Sequence, residues 1–127
     1  MRISILIVDD NSIVRRSLRA CIDRNTDWSV CGEAENGAIA VEKVKQLHPD
    51  VVILDLAMPV MNGLEAARII SSIAPDTTML MFTMHHCEEL LKDARAAGIT
   101  DVLSKHEGLA DSLLTSIRAA VGNPVRQ

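Results

Sequence analysis

The sequence predicts an α/β fold: a five-stranded parallel sheet in the order 2-1-3-4-5, with five helices packed on its two faces. Three observations lead there. Short apolar, β-branched runs alternate five times with segments of helical period along 127 residues, without internal repeat or low-complexity linker. The central runs stay apolar throughout, as strands covered on both faces do, whereas the second run alternates apolar and polar residues as an edge strand does. Each central run also leads into polar residues, which gathers them along one edge of the sheet. Right-handed crossovers put helices on both faces, and an edge position for the second strand puts the switch point between strands one and three.

The first strand is Ile3-Ser4-Ile5-Leu6-Ile7-Val8, leading into Asp9-Asp10. Asn11 or Ser12 can cap the next helix, where Ile13, Val14, Ser17, Leu18, Cys21 and Ile22 recur at helical spacing. Arg15, Arg16, Arg19 and Arg24 lie on its other side; they could bind an acidic partner, but read first as a solvated face. Asn25-Thr26-Asp27 breaks the helix, and residues 28–34 form the edge strand, with Gly32 inside it. Asn36-Gly37 reads as a turn before a helix that buries Ala40, Val41, Val44 and Leu47 and stops at His48-Pro49. Val51-Val52-Ile53-Leu54 is an apolar run ending in Asp55, and Pro59 ends regular structure. Asn62-Gly63 precedes a helix with Leu64, Ala67, Ile70 and Ile73 on one face, closed by Pro75. Residues 78–83 form the fourth strand, ending in Thr83, and Glu88 to Ala97 a helix stopped by Gly98. Thr100-Asp101-Val102-Leu103 is the fifth strand, followed by Ser104-Lys105. The last helix turns Leu109, Leu113, Ile117, Ala120 and Val121 inward and ends at Gly122 and Pro124. One domain is expected over 1–122, with 123–127 as a tail or the start of a linker.

With 48% apolar and 24% charged residues the composition is that of an ordinary soluble globular protein. A net charge of −4 argues against nucleic acid or an anionic membrane as a partner of this piece. Trp28 and Phe82 are the only aromatic residues, so stacking platforms for bases, flavins or sugars are lacking. No apolar run approaches the roughly 18 residues of a membrane span, and the N-terminus enters a strand without a signal peptide. A cytoplasmic location without membrane contact is therefore expected. Cys21, Cys31 and Cys87 are odd in number and lack metal-type spacing, which makes them reduced and mostly packing residues. His85-His86-Cys87 reads as adjacent helix positions pointing different ways rather than as a metal cluster.

The strand ends carry the chemistry. Strand one delivers Asp9 and Asp10, strand three Asp55, strand four Thr83 and strand five Lys105. Converging carboxylates repel by roughly 4 kcal/mol per close pair at an effective dielectric of about 20, so one takes up a proton or a cation sits among them. Oxygen ligands from few protein groups suit Mg²⁺, which keeps several waters and binds phosphoryl oxygens. With Mg²⁺ and Lys105 in place, Asp55 can attack a phosphoryl group to give an aspartyl phosphate. The metal and the lysine would offset charge on the transferring oxygens, and Thr83 would donate a hydrogen bond to the product. The plainer alternative, acidic residues that merely cap neighbouring helices, does not account for five polar residues at the correct strand ends.

On the Asp9-Asp10 pair, Asp55, Met58-Pro59 with Asn62-Gly63, Thr83 and Lys105, the chain resembles the receiver domain of bacterial response regulators. That is the CheY-like form of the flavodoxin-like fold, and the resemblance spans essentially the whole chain. It implies that Asp55 is the phosphoacceptor for a histidine kinase. It also implies that Asp10, Asp55 and the backbone carbonyl of Ala57 ligate Mg²⁺, with Asp9 acting through water. The last two helices and strand five would form the output surface. Thr83-Met84-His85 and the lack of proline after Lys105 are most similar to the NarL/FixJ (LuxR-type) subfamily. Its members carry a helix-turn-helix domain after the receiver, so DNA contact and transcriptional output are expected only through a domain beyond residues 122–127. The resemblance leaves room for a homodimer on phosphorylation, and the alternative output is that of a stand-alone receiver acting by protein–protein contact.

Two departures stand out. Val102 occupies the position, three before the lysine, where the family commonly has an aromatic switch residue, and His106 follows Lys105 where many members have proline. Two enzyme or carrier classes fit less well. A phosphohydrolase of the haloacid dehalogenase type needs a second aspartate two residues after the nucleophile, where Ala57 stands. A flavodoxin-like electron carrier needs flavin-stacking rings and a phosphate loop where Asp9-Asp10 would repel phosphate. The chain is thus expected to act as no enzyme beyond its own phosphorylation and slow dephosphorylation. Slow loss follows because Ala57 cannot orient a water and His85, two residues after Thr83, is bulky. A phosphoryl half-life of only seconds in purified protein would overturn that expectation.

Overall fold

The computed structural model describes residues 2–84, 87–105 and 109–121. Its strands are β1 (Ile3–Val8), β2 (Trp28–Ala34), β3 (Val51–Asp55), β4 (Thr78–Thr83) and β5 (Asp101–Ser104). The helices are α1 (Ser12–Asp23), α2 (Gly37–Leu47), α3 (Gly63–Ile73), α4 (Glu88–Ala96) and α5 (Leu109–Val121). All strand pairs are parallel, in the expected order β2-β1-β3-β4-β5.

Successive strand residues point to opposite faces, so each central strand feeds two cores. Leu6, Val8, Val52, Leu54, Met79 and Met81 pack on one side with residues of α2, α3 and α4. Ile5, Ile7, Ile53, Leu80 and Phe82 pack on the other with residues of α1 and α5. Every position of β3 is buried, which is why its sequence is apolar up to Asp55.

Several expectations need correction. Ile13 (68% exposed), Leu47 (40%) and Ile73 (42%) do not lie in the core. Each occupies a terminal turn of its helix, where the apolar period continues beyond the sheet that would cover it. Asn36-Gly37 is no separate turn: Asn36 caps α2 and Gly37 is its first residue, as Asn62 and Gly63 are for α3. Asn11 rather than Ser12 caps α1, accepting from the N–H groups of Ile13 and Val14. β5 starts one residue later than expected and includes Ser104. Leu113 and Ile117 are fully buried and Ala120 is half-buried, whereas the side chains of Leu109 and Val121, and residues 122–127 altogether, lie outside the described residues.

Cys21 is buried and Cys31 half-buried, but Cys87 is exposed at the N-cap of α4 and is not a packing residue. The β1–β2 register steps from Ile5–Val30 to Leu6–Gly32, so Cys31 forms a bulge on the edge strand. Among the described residues no helix is long and apolar enough to cross a membrane.

Candidate functional site

β1 leads into Asp9, whose backbone N–H donates to the Ala34 carbonyl (3.0 Å). The Asp9 side chain is fully buried and doubly engaged. Its Oδ1 accepts the Asn11 N–H (2.8 Å) and its Oδ2 accepts from Lys105 Nζ (2.8 Å). Asp55 closes β3 with its side chain 7% exposed, and its Oδ1 lies 3.1 Å from the same Nζ. Asp10 is exposed. One oxygen from each of Asp9, Asp10 and Asp55 lies within 4.8 Å of the other two.

Lys105 follows β5, and its backbone N–H donates to the Thr83 carbonyl (2.8 Å), which ties it to the end of β4. Its ammonium stands 4.7 Å from the centroid of the Phe82 ring, a cation–π contact that holds the charge at the sheet edge. Thr83 is buried beside Ser104 of β5 at the same edge. Ala57 lies exposed in the loop two residues past Asp55. The structure thus brings Asp9, Asp10, Asp55 and Lys105 together with Thr83 beside them. His85 and His106 lie outside the described residues.

Burial pushes the Asp55 carboxyl above its ordinary value, and the Asp9 charge adds to that, while Lys105 opposes it. For Lys105, burial alone would favour the neutral amine. Its bonds to Asp9 and Asp55 outweigh burial, so its affinity for the proton is raised. Three ionised carboxylates against one ammonium leave two negative charges uncompensated. A hard divalent cation with oxygen ligands matches both that charge and that donor set.

Gly63, the glycine of the Asn62-Gly63 pair, has a steric reason to be glycine: a Cβ there would run into the Asp55 carbonyl oxygen, so only glycine lets α3 start this close to the site. Three contributors were not singled out from sequence. Phe82 is one. Arg15 and Glu33 are the others. They correct the solvated face of α1 at Arg15 and Arg19, while Arg16 and Arg24 are exposed. Arg15 Nη1 donates to the Asp9 carbonyl (2.6 Å) and its Nε to Glu33 Oε1 (2.9 Å), while Arg19 Nε donates to Glu33 Oε2 (2.8 Å). The Arg19 bond, joined by that of Arg15, holds the Glu33 carboxyl below its ordinary value against a smaller opposing effect of burial.

The sequence profile described as the response regulator receiver domain matches residues 5–118. Transcriptional regulatory protein YdfI of Bacillus subtilis is 36% identical over 124 residues, covering 97% of this chain and 57% of the relative. The chain spans about half the length of the curated relatives of this kind that it matches. Among solved structures, the response regulator domain of Thermotoga maritima CheB aligns with a TM-score of 0.88 at 33% identity, over 94% of this chain and 96% of that one. A LuxR-family two-component response regulator from Aurantimonas sp. SI85-9A1 aligns with a TM-score of 0.88 at 31% identity, over 94% and 84%.

Proposed function

The chain belongs to the response regulator receiver domain family, and from that premise we propose that Asp55 accepts a phosphoryl group from a histidine kinase in a Mg²⁺-dependent transfer. What carries the proposal is the buried Asp55 carboxylate at the end of β3, facing Lys105 and two further carboxylates. An Asp55 oxygen bonds to phosphorus as the bond from phosphorus to the donor imidazole nitrogen breaks; the electron pair returns to that nitrogen, and a ring protonated on its other nitrogen leaves as neutral histidine beside the aspartyl phosphate. Asp10, Asp55 and the Ala57 carbonyl would hold Mg²⁺, with Asp9 acting through water. The bound ion supplies positive charge toward the phosphoryl oxygens.

Lys105 has its own part. Formation of the acyl phosphate replaces the Asp55 carboxylate charge with that of the phosphoryl group, so the ammonium that rests between Asp9 and Asp55 gains a phosphoryl oxygen as its new partner. Thr83 offers its hydroxyl as a donor to the same group. The modification favours an active conformation already sampled without it. The output surface is α4, β5 and α5, where Val102 is buried and offers no ring to swing. We place the receiver at residues 1–122 in the cytoplasm. The output we propose is transcription, through a DNA-binding domain outside this chain, with homodimer formation on phosphorylation as one route to it.

Incubation with acetyl phosphate and Mg²⁺ tests the site. Intact-mass spectrometry is expected to show a single phosphoryl adduct on the wild type and none on Asp55→Asn. A wild type without the adduct, or a variant that gains it equally, would remove Asp55 from this role.

A further inference from the structure

We infer that Arg15 is a positioning residue for the Asp9-Asp10 turn: its guanidinium clamps the peptide that carries Asp10 onto β2 through Glu33. This inference rests on the proposed Mg²⁺ site.

Asp10 is the exposed member of the carboxylate trio, so its place depends on the backbone beneath it. The carbonyl that accepts from Arg15 Nη1 belongs to the peptide joining Asp9 to Asp10, so holding that oxygen fixes the plane from which Asp10 projects. The N–H of Asp9 is held by the Ala34 carbonyl, and Asn11, on the far side of Asp10, by its N–H bond to Asp9 Oδ1. Arg15 is itself fixed. Its Nε reaches Glu33, which also accepts from Arg19, and the Glu33 carbonyl accepts from Lys43 Nζ. Arg15 and Glu33 side chains are 17% and 31% exposed, so this is not a loose surface pair. The planar fork of arginine can serve a carboxylate and a carbonyl at once, which the single ammonium of lysine does poorly.

Charge and geometry make opposite predictions here. A guanidinium beside the turn repels an arriving dication, so its removal should tighten Mg²⁺ binding if charge were all that mattered. If Arg15 positions Asp10, its removal should weaken binding. Losing outer-shell partners of metal ligands costs affinity on the order of tenfold or more.

The test is Mg²⁺ titration calorimetry on the purified chain, with amide exchange of Asp10 and Asn11 in metal-free protein. Arg15→Met is expected to weaken Mg²⁺ binding about tenfold and to speed exchange at both amides. Arg15→Lys, which keeps the charge, should be weakened as well, and Glu33→Gln to a smaller degree. Those two variants carry the test should Arg15→Met fail to fold. Unchanged or tighter binding in the variants, beside a wild type that binds Mg²⁺, would overturn the inference alone. A wild type with no Mg²⁺ affinity would overturn the proposed metal site and this inference with it.

Discussion

Gly63→Ala is expected to lose about 3 kcal/mol of stability or more, read as a fall in melting temperature of roughly 12 °C for a domain of this size. Helix propensity alone predicts the reverse, since alanine is favoured over glycine by about 1 kcal/mol inside a helix. The clash decides the sign. The new Cβ would lie 2.2 Å from the Asp55 carbonyl oxygen and 3.1 Å from its carbon. Both atoms are backbone of a strand buried at every position, so neither can step aside cheaply. Moving α3 instead would strain the Gly63 N–H bond to the Leu56 carbonyl (2.8 Å) and the capping box of Asn62 and Glu65. Gly32→Ala is the control: its Cβ would meet side-chain atoms rather than backbone, the end of Leu47 at 3.0 Å, Leu6 at 3.5 Å and Lys43 at 3.9 Å, on an edge strand. Thermal denaturation by circular dichroism separates the two, and a Gly63→Ala melting temperature at or above wild type would refute the clash.

Lys105→Met should cost the metal-free protein about 3 kcal/mol near neutral pH, because it leaves the buried Asp9 and Asp55 carboxylates without their shared cation. The pH dependence has a definite sign. Lys105 binds its proton more tightly in the folded state, so its contribution is fully present below the unfolded lysine value and is lost only as pH rises through the folded one. Asp55 is also raised on folding. Its protonation therefore favours the native state, and that contribution fades as pH rises from the unfolded carboxylate value through the folded one. Without Lys105 the Asp55 carboxylate loses the charge that opposes its protonation, so the deficit of the variant should shrink as pH falls into the carboxylate range. Mg²⁺ should reduce it at neutral pH by supplying charge where the ammonium was. Urea denaturation from acid to neutral pH, with and without Mg²⁺, checks both points. A deficit independent of pH and metal would show that Lys105 contributes packing rather than charge.

The strands and the site residues were legible for one shared reason. A strand covered on both faces must be apolar, so the first polar residue after the run marks where the sheet ends, and Asp9 and Asp55 each sit at such a point, while Lys105 directly follows Ser104 at the end of the edge strand β5. Periodicity failed where it outran the sheet, as at Ile13, Leu47 and Ile73, since spacing records which side of a helix is apolar but not how far its cover extends. Arg15 and Arg19 looked solvated because their partner Glu33 is 18 and 14 residues away and reaches them only once β2 lies beside β1. The bulge at Cys31 and the close approach at Gly63 depend on backbone placement, which residue type alone signals weakly.

The bond from Lys105 to Asp9 joins residues 96 apart along the chain. A polypeptide emerging from the ribosome presents all three carboxylates well before the lysine that neutralises them is made. The edge of β4 must also wait for β5 before Lys105 can be tied to Thr83. Docking of the fifth strand is therefore the event that completes the site, and nascent or partly opened molecules lack it. Local loosening at β5, three strands along the sheet from β1, would by the same contact dismantle the site while leaving the first four strands paired.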